Sequence, residues 1–528
     1  MYMTNQSLNI ADLANLDNIE LNEKFLQALN LMEKSWKNVF ITGKAGTGKS
    51  TLLHYFKNTT KKKIAILAPT GVAALNVGGQ TIHSFFSFQP DITLKSVRYV
   101  YNNKVYQLID TIIIDEISMV RADLLDCVDK FLRLNGKNSD EPFGGVQIIF
   151  IGDLYQLPPI IRGKEREIFE KHYKSQYFFD AKAFENLDIE FIELEKIYRQ
   201  KDKRFIELLN AVRNRTITEG DIEELNKRVD ASFEVPDNDF YINLTTTNEL
   251  SNKINEKELL KLKEKLFEFK GEINGKFDKT SLPTELNLKL KIGSQVMLLN
   301  NDSGHRWVNG TIGKVIDIEG NKKENLIILE LFNGKKVKVS KYTWDIYKLY
   351  YNNEIKSLDS ETIGSFTQYP LRLAWAVTIH KGQGKTFDNV IIDIGNGAFA
   401  HGQVYVALSR CTTLDGIILK KPIRKNHILM DWKVVDFLTK YQYGLSDKKY
   451  PLKHKIEIIK NAIKNKSKLE IIYLKSSDIK TKRTISPKRI GDMEYQGKGY
   501  LGVEAYCHLR EDNRVFRVDR ILELEEIN

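Results

Sequence analysis

Cysteine is scarce in this 528-residue chain. Three occur, Cys127, Cys411 and Cys507, far apart and outside any Cys-x-x-Cys or Cys/His cluster. That argues against a disulfide framework or a structural zinc site, and it fits a reducing compartment. No run approaches the roughly 18 apolar residues of a membrane-spanning helix. The opening stretch MYMTNQSLNIADLANLDNIE has neither a basic start nor an apolar core, so no secretory leader is expected. Low-complexity tracts, collagen-like composition and repeats of solenoid period are also missing.

What is present is ordinary for a globular protein: 42% hydrophobic and 28% charged residues. One core rarely grows past about 250–300 residues, so several domains are expected. The formal net charge is +11. That favours a polyanionic partner, although Lys-rich solvated faces give similar values. The excess is uneven. From Tyr441 to Asn528 there are 19 Lys and Arg against 13 Asp and Glu.

Strand-length apolar runs recur at Val39–Thr42, Ile64–Ala68, Thr111–Asp115, Gln147–Ile151, Tyr241–Thr245, Asn389–Asp393 and Gly416–Leu419. Several are apolar on both faces, as buried parallel strands are. Helix-type segments such as Leu21–Lys34, Ser50–Asn58 and Phe205–Arg213 separate many of them. The alternation predicts α/β layers. Between Leu286 and Trp344, short β-type segments joined by Gly-Asn turns predict a small inserted antiparallel barrel. After Lys440, the basic stretch SDKKYPLKHK reads as a connection to a small domain of short strands, Leu469 to Leu524.

The first apolar run enters GKAGTGKST at 43–51, and a helix pattern follows. This is the phosphate-cradling loop G-x-x-x-x-G-K-[ST]. Its glycines let backbone N–H groups curl around an anion, and the new helix points its positive end at the same place. Lys49 is placed to reach the β- and γ-phosphates and Ser50 to ligate Mg²⁺. TIIIDEIS sets Asp115 and Glu116 at the end of a buried strand, where unpaired acids are costly. Asp115 suits Mg²⁺, directly or through water, and Glu116 suits the general base. A third strand ends in Gly152-Asp153, and Gln156 beyond it is a candidate γ-phosphate sensor or water-positioning group.

With these residues in order, the chain resembles superfamily 1 DNA helicases of the petite-integration-frequency family, over roughly residues 20–440. GKAGTGKST resembles motif I, APTGVAALNVGGQTIHSFF motif Ia and its extension, and IIDEISMV motif II. FGGVQIIFIGDLYQLPP leads into motif III. IYRQKDKRF resembles motif IV, AVTIHKGQGKTFDNVIID motif V, and VYVALSRCTTLDG motif VI. The resemblance implies two RecA-like parallel-sheet domains with ATP between them. Gly43, Ala45, Gly46, Thr47, Gly48, Lys49, Ser50 and Thr51 then hold the nucleotide, with Gly384 of motif V. Arg199 and Arg410 approach the γ-phosphate from the second domain as arginine fingers. Family members often carry an upstream Gln that reads adenine. Gln27 is the candidate here, with Phe25 or Leu26 standing at the expected place.

The resemblance also assigns motifs Ia and V to single-stranded DNA. Thr70, Gly71 and Val72 offer hydroxyl and backbone donors, His83 a polar contact, and Phe85 or Phe86 either a stacking surface or core. Thr378, His380, Lys381 and Asn248 extend the track. The implied division is 1–188 for the first RecA-like domain, with a wedge element near 87–107. The second RecA-like domain takes 189–285 and 346–440, around an inserted barrel at 286–345. A linker helix follows at 441–466.

Residues 467–528 resemble a WYL domain, a small, mostly β module. Its signature appears as Gly499-Tyr500-Leu501, without the Trp. Arg483, Arg489, Arg510, Arg514 and Arg517, with Tyr500, are candidates for a nucleic-acid strand or anionic ligand. Stacking of Arg514 and Arg517 on Tyr500 and Tyr506 is the structural alternative.

The expected activity is ATP-dependent, Mg²⁺-assisted 5′ to 3′ unwinding of tailed or forked duplex DNA. G-quadruplexes and RNA–DNA hybrids are further candidate substrates. A DNA-binding ATP switch that does not unwind is the alternative. The motor subunit of a nuclease complex is a third reading, for which no nuclease constellation is seen. A cytoplasmic, nucleoid-associated monomer without membrane contact is expected.

Overall fold

The computed structural model describes residues 22–527, apart from positions 90, 102, 162–164, 186, 237–238, 278–281, 322–323, 353, 355–356 and 395–399. The N-terminal stretch expected to carry no leader therefore lies outside the described residues. The chain divides into two compact units, Met1–Leu429 and Met430–Asn528.

The first unit opens with a parallel sheet of β1 (Asn38–Gly43), β2 (Ile64–Ala68), β3 (Gln80–Thr81), β4 (Thr111–Ile114), β5 (Gln147–Ile151) and β6 (Ile189–Leu194). Their spatial order is β3-β2-β4-β5-β1-β6. β2, β4 and β5 are buried at every position, which explains their two-sided apolar sequences. Helix Glu23–Lys34 starts where the Asn22 side chain accepts the Phe25 N–H. Its Phe25, Ala28 and Met32 join Leu52, Leu53 and Phe56 of helix Lys49–Thr59 over Val39 and Ile41. Each large side chain buried there contributes about 1.5–3 kcal/mol.

A second parallel sheet runs Ala376–Thr378, Ile242–Thr245, Val390–Asp393, Ile417–Leu419 in spatial order. The barrel intervenes in sequence. Its five antiparallel strands, in order, are Lys336–Val339, Glu324–Leu331, Ile312–Asn321, Gln295–Leu298 and Leu371–Leu373. Leu288, Val296, Leu298, Val315, Leu329 and Val339 fill its core. A long hairpin, Tyr342–Asn352 with Ser357–Gln368, pairs with Glu272–Gly275 as a separate three-stranded sheet.

Three expected boundaries move. Residues 189–194 belong to the first sheet, because β6 pairs with β1 along its whole length. Residues 346–373 are not part of the second α/β domain: they form the hairpin and the fifth barrel strand. Residues 441–466 are not a linker. Helices Trp432–Lys449 and Leu452–Asn465 belong to the second unit, and Ile459 and Ala462 enter the core of its sheet with Leu469, Ile471, Ile485, Val503 and Phe516. That sheet is antiparallel, in order Asp512–Arg517, Lys498–Cys507, Lys480–Tyr495, Lys468–Leu474, Ile521–Ile527. The basic stretch expected to be a connection ends one helix and begins the next. Its Lys455 is fully buried and donates to Asp447 at 3.0 Å.

In the segment expected to be a wedge, helix Lys104–Leu108 packs against the long hairpin, with Lys104 Nζ 4.4 Å from the Tyr351 ring centre.

Candidate functional site

β1 delivers Gly43 to the loop, and helix Lys49–Thr59 leaves it behind Gly48, whose φ of 88° demands glycine. Gly46, at φ 80°, has no room for a side chain: a Cβ there would lie 2.6 Å from Arg199 Cβ. Lys49 Nζ donates to the carbonyls of Gly43 (2.7 Å) and Lys44 (3.0 Å), so the ammonium closes the loop from within. Burial holds it below the usual lysine range, against the pull of Asp153 and Glu116. Ser50 and Thr51 begin the helix in exposed positions, while Thr47 is buried and donates to the Lys44 carbonyl.

Asp115 and Glu116 follow β4 at the same sheet edge. Burial raises both carboxyl pKa values; Asp115 raises that of Glu116 further, and Lys49 opposes both shifts. Glu116 sits in the left-handed region at φ 50°. Among the described residues, no group of three or more His, Cys, Asp or Glu forms a self-sufficient metal site. One carboxylate (Asp115) and one hydroxyl (Ser50) beside a phosphate cradle is the hard-oxygen set that Mg²⁺ accepts when phosphates and waters complete its shell. The donor chemistry therefore fits Mg²⁺.

The second parallel-sheet domain closes on this edge with residues whose types and spacing alone assign them no role. Gln383 Nε2 donates to Glu116 Oε2 at 2.9 Å and to Gln156 Oε1 at 3.3 Å. One amide thus joins the acid, the Gln of the third strand and the other domain. Gln156 in turn donates to Asp153 at 3.3 Å, and Asp153 pairs with buried Arg213. The Tyr405 hydroxyl accepts the Ala45 N–H at 2.9 Å. The clue for Gln383 was a lone amide between two glycines. Tyr405 sits on helix Gln403–Leu408, buried along its length, and nothing in its pattern separated it from core.

Arg410 is buried. It donates to the Val406 and Lys385 carbonyls and to the Ser409 hydroxyl, and its charge acts on Glu116. Arg199 was expected on the second domain, but it lies in the connector just after β6. The adjacent Tyr198 N–H donates to the Gly46 carbonyl at 2.8 Å. From there the Arg199 guanidinium reaches across to the carbonyls of Ser409 (3.0 Å) and Gly384 (3.4 Å), and Gln200 to those of Ser409 and Cys411. The finger reaches toward the second domain rather than from it.

Gln27 does not meet the loop. It is exposed and accepts a bond from Lys24 within its own helix. Asn22 and Tyr198 stand nearer: Asn22 Nδ2 donates to the Tyr198 hydroxyl, and a Cβ on Gly48 would lie 3.9 Å from the Tyr198 ring.

The DNA candidates divide. The Thr70 side chain accepts the Ala73 N–H and so starts helix Gly71–Asn76, leaving Gly71 and Val72 partly exposed. His83 is half-buried, and burial lowers its pKa. Phe85 is 7% exposed and packs on Phe86 and Tyr106, so it belongs to the core and is not a stacking platform. Thr378 is also buried; its hydroxyl accepts the Lys381 N–H. His380 and Lys381 are partly exposed, and Asn248 is exposed at a helix start.

In the second unit the basic residues split. Arg483 and Arg514 line a cavity of about 260 Å³ with Tyr473, Lys475 and Phe516. Arg489 instead pairs with Glu504. Arg517 pairs with Asp519 and lies 5.1 Å from the Tyr500 ring centre. The stacking alternative thus holds for Arg517. Arg510 is exposed on the turn after Cys507.

A PIF1-like helicase family model matches residues 20–223, and a WYL domain model matches residues 454–526. The ATP-dependent DNA helicase Pif1 of Bdellovibrio bacteriovorus is 33% identical over 445 residues, 82% of this chain and 95% of that protein. Unliganded Pif1 from Bacteroides is 39% identical, with a TM-score of 0.73 over 80% of this chain and 97% of that one. The Bacteroides helicase in complex with ADP-AlF3 and ssDNA is 39% identical, with a TM-score of 0.60 over 80% and 98%. With seven ordered motifs, paired parallel sheets around one loop and relatives matched over nearly their whole length, the chain belongs to the PIF1-like family of ATP-dependent DNA helicases and carries a WYL domain at its C-terminus.

Proposed function

We propose that this chain hydrolyses Mg·ATP between its two parallel-sheet domains and uses the cycle to move 5′ to 3′ along single-stranded DNA, opening tailed or forked duplexes. The observation that carries this reading is the Gln383 amide, which ties Glu116 and Gln156 of one domain to motif V of the other. An ATPase whose general base is bonded across a domain interface links hydrolysis to domain movement. Lys49 and Ser50 hold phosphate and metal, Asp115 holds the metal, Glu116 takes the proton of the attacking water, and Arg199 and Arg410 stabilise charge on the transferring phosphoryl group. Tyr198, whose ring lies beside Gly48 and whose hydroxyl accepts from Asn22, is the proposed wall of the nucleotide pocket in place of Gln27.

Thr70, Gly71, Val72 and His83 on one side, with Lys381, His380 and Asn248 on the other, form the proposed track for the strand. The Bacteroides relative in complex with ssDNA supports the choice of polymer. Strand displacement on 5′-tailed and 3′-tailed duplexes tests the polarity. The expected result is unwinding of the 5′-tailed substrate alone. Absence of unwinding on both, with ATPase intact, favours the DNA-dependent switch.

The Arg483, Arg514 and Lys475 cavity is the proposed anion seat of the WYL domain. Because residues from 430 onward form their own compact unit, deleting 430–528 is expected to leave ATP turnover within about twofold of the full chain and to weaken DNA binding, with a flatter salt dependence. DNA affinity equal to that of the full chain reduces this domain to a scaffold.

A further inference from the structure

Motif V carries one lysine that neither nucleotide chemistry nor the proposed strand contacts use. Lys385 is 9% exposed. Its carbonyl accepts from the Arg410 guanidinium at 3.3 Å, so its backbone is fixed to the ATP site. Its side chain turns the other way, toward the barrel, where Nζ donates to Asn309 Oδ1 at 2.6 Å. The Asn309 amide nitrogen then donates to Asn76 Oδ1 at 2.9 Å. Asn76 ends the helix Gly71–Asn76 that begins at Thr70. A single barrel side chain therefore bridges the two elements, motif Ia and motif V, between which the strand is proposed to run.

The loop that presents Asn309 is braced. Asp302 takes Arg306 through two bonds (2.8 and 2.6 Å) and also accepts the Gly304 and Arg306 N–H groups. Trp307, 6% exposed, anchors the loop in the barrel and donates to Asn300. Asn301 accepts the Asn309 N–H at 2.9 Å. Gly310, at φ 101°, lets the loop lie on the Lys385 stem, with 3.5 Å from an ideal Cβ to Lys385 Cγ.

We infer that Asn309 is a latch: its amide oxygen occupies the seat on Lys385 that a phosphate oxygen of single-stranded DNA takes, so the barrel and the strand compete for one lysine. A neutral amide is a weak substitute for a phosphate, whose full charge makes the stronger bond to an ammonium. Burial, and secondly Arg372, push the Lys385 pKa down to about 7, so the group gains more from an anion than an exposed lysine does. Strand entry then swings the loop away and breaks the Asn76 bond with it. The inference rests on the reading of motifs Ia and V as the strand track.

The test is the affinity of the full chain for a fluorescent oligothymidylate, without nucleotide, in Asn309→Ala, Asn309→Asp, Lys385→Met and Lys381→Ala. Opening the latch in Asn309→Ala is expected to tighten binding about three- to tenfold. A carboxylate in Asn309→Asp is expected to close it and weaken binding by a similar factor. Lys385→Met is expected to weaken binding and to flatten the log Kd against log salt slope by about one phosphate contact. A merely structural role for Asn309 shifts both of its variants the same way, and that outcome, or no shift in either, overturns the latch. Lys381→Ala tests the reading beneath. Weakened binding there with inert Asn309 variants removes the latch alone, whereas unchanged binding in Lys381→Ala and Lys385→Met removes the track and the latch together.

Discussion

Lys49→Ala is expected to lower ATP turnover at least about 10²–10³-fold, the cost of removing one preorganised donor from a transition-state site. In the structure the ammonium lies between the Gly43 and Lys44 carbonyls, with Asp115, Glu116 and Asp153 acting on it. Alanine removes the group proposed to meet the β- and γ-phosphates. It also removes the cation whose charge opposes the raised pKa values of Asp115 and Glu116, which pushes both further toward the neutral form. Both consequences lower turnover. Steady-state ATP hydrolysis with saturating oligonucleotide, beside a thermal melt to confirm folding, is the measurement. Turnover within a few-fold of the parent chain moves the hydrolytic site away from this loop.

Glu116→Gln separates binding from chemistry. Glutamine keeps the shape of the side chain, and its amide oxygen still accepts the Gln383 bond that joins the domains. It cannot take a proton. Nucleotide binding is therefore expected to stay within a few-fold, while hydrolysis falls about 10²–10⁴-fold, the range general-base catalysis supplies. Binding of a fluorescent ATP analogue and single-turnover hydrolysis measure the two sides. Loss of binding makes Glu116 a structural support of the loop rather than the base.

The parts legible in the sequence were those whose chemistry needs fixed residues at fixed spacing. Gly43–Ser50 requires glycines where a Cβ does not fit, and Asp115-Glu116 closes an apolar strand that only a charged partner justifies. What escaped lies where two elements far apart in sequence meet. Gln383 looks like any loop amide until the second domain sets it against Glu116. Phe85 could have been platform or core, and only the packing of Tyr106 and Phe86 decides for core. The boundary near 188 was misplaced because an edge strand such as β6 mixes buried and half-exposed positions and lacks the two-sided apolar run of its neighbours. Residues 346–368 of the hairpin were assigned to α/β layers because strand Tyr342–Asn352 is long and mostly half-exposed, so no clean period separates it from the next domain.

The connector after β6 has a further consequence. Tyr198 is bonded to the loop at Gly46, and its neighbours Arg199 and Gln200 hold the 409–411 turn of the second domain. On the proposed function, the pivot of the motor and the wall of the nucleotide pocket are thus the same three residues. Linkage then works in both directions: whatever free energy ATP contributes to one interdomain angle, a strand that favours that angle returns to ATP affinity. Load on the DNA is then expected to reach nucleotide exchange through this connector, and force applied to the track is expected to be readable as a change in Kd for ATP.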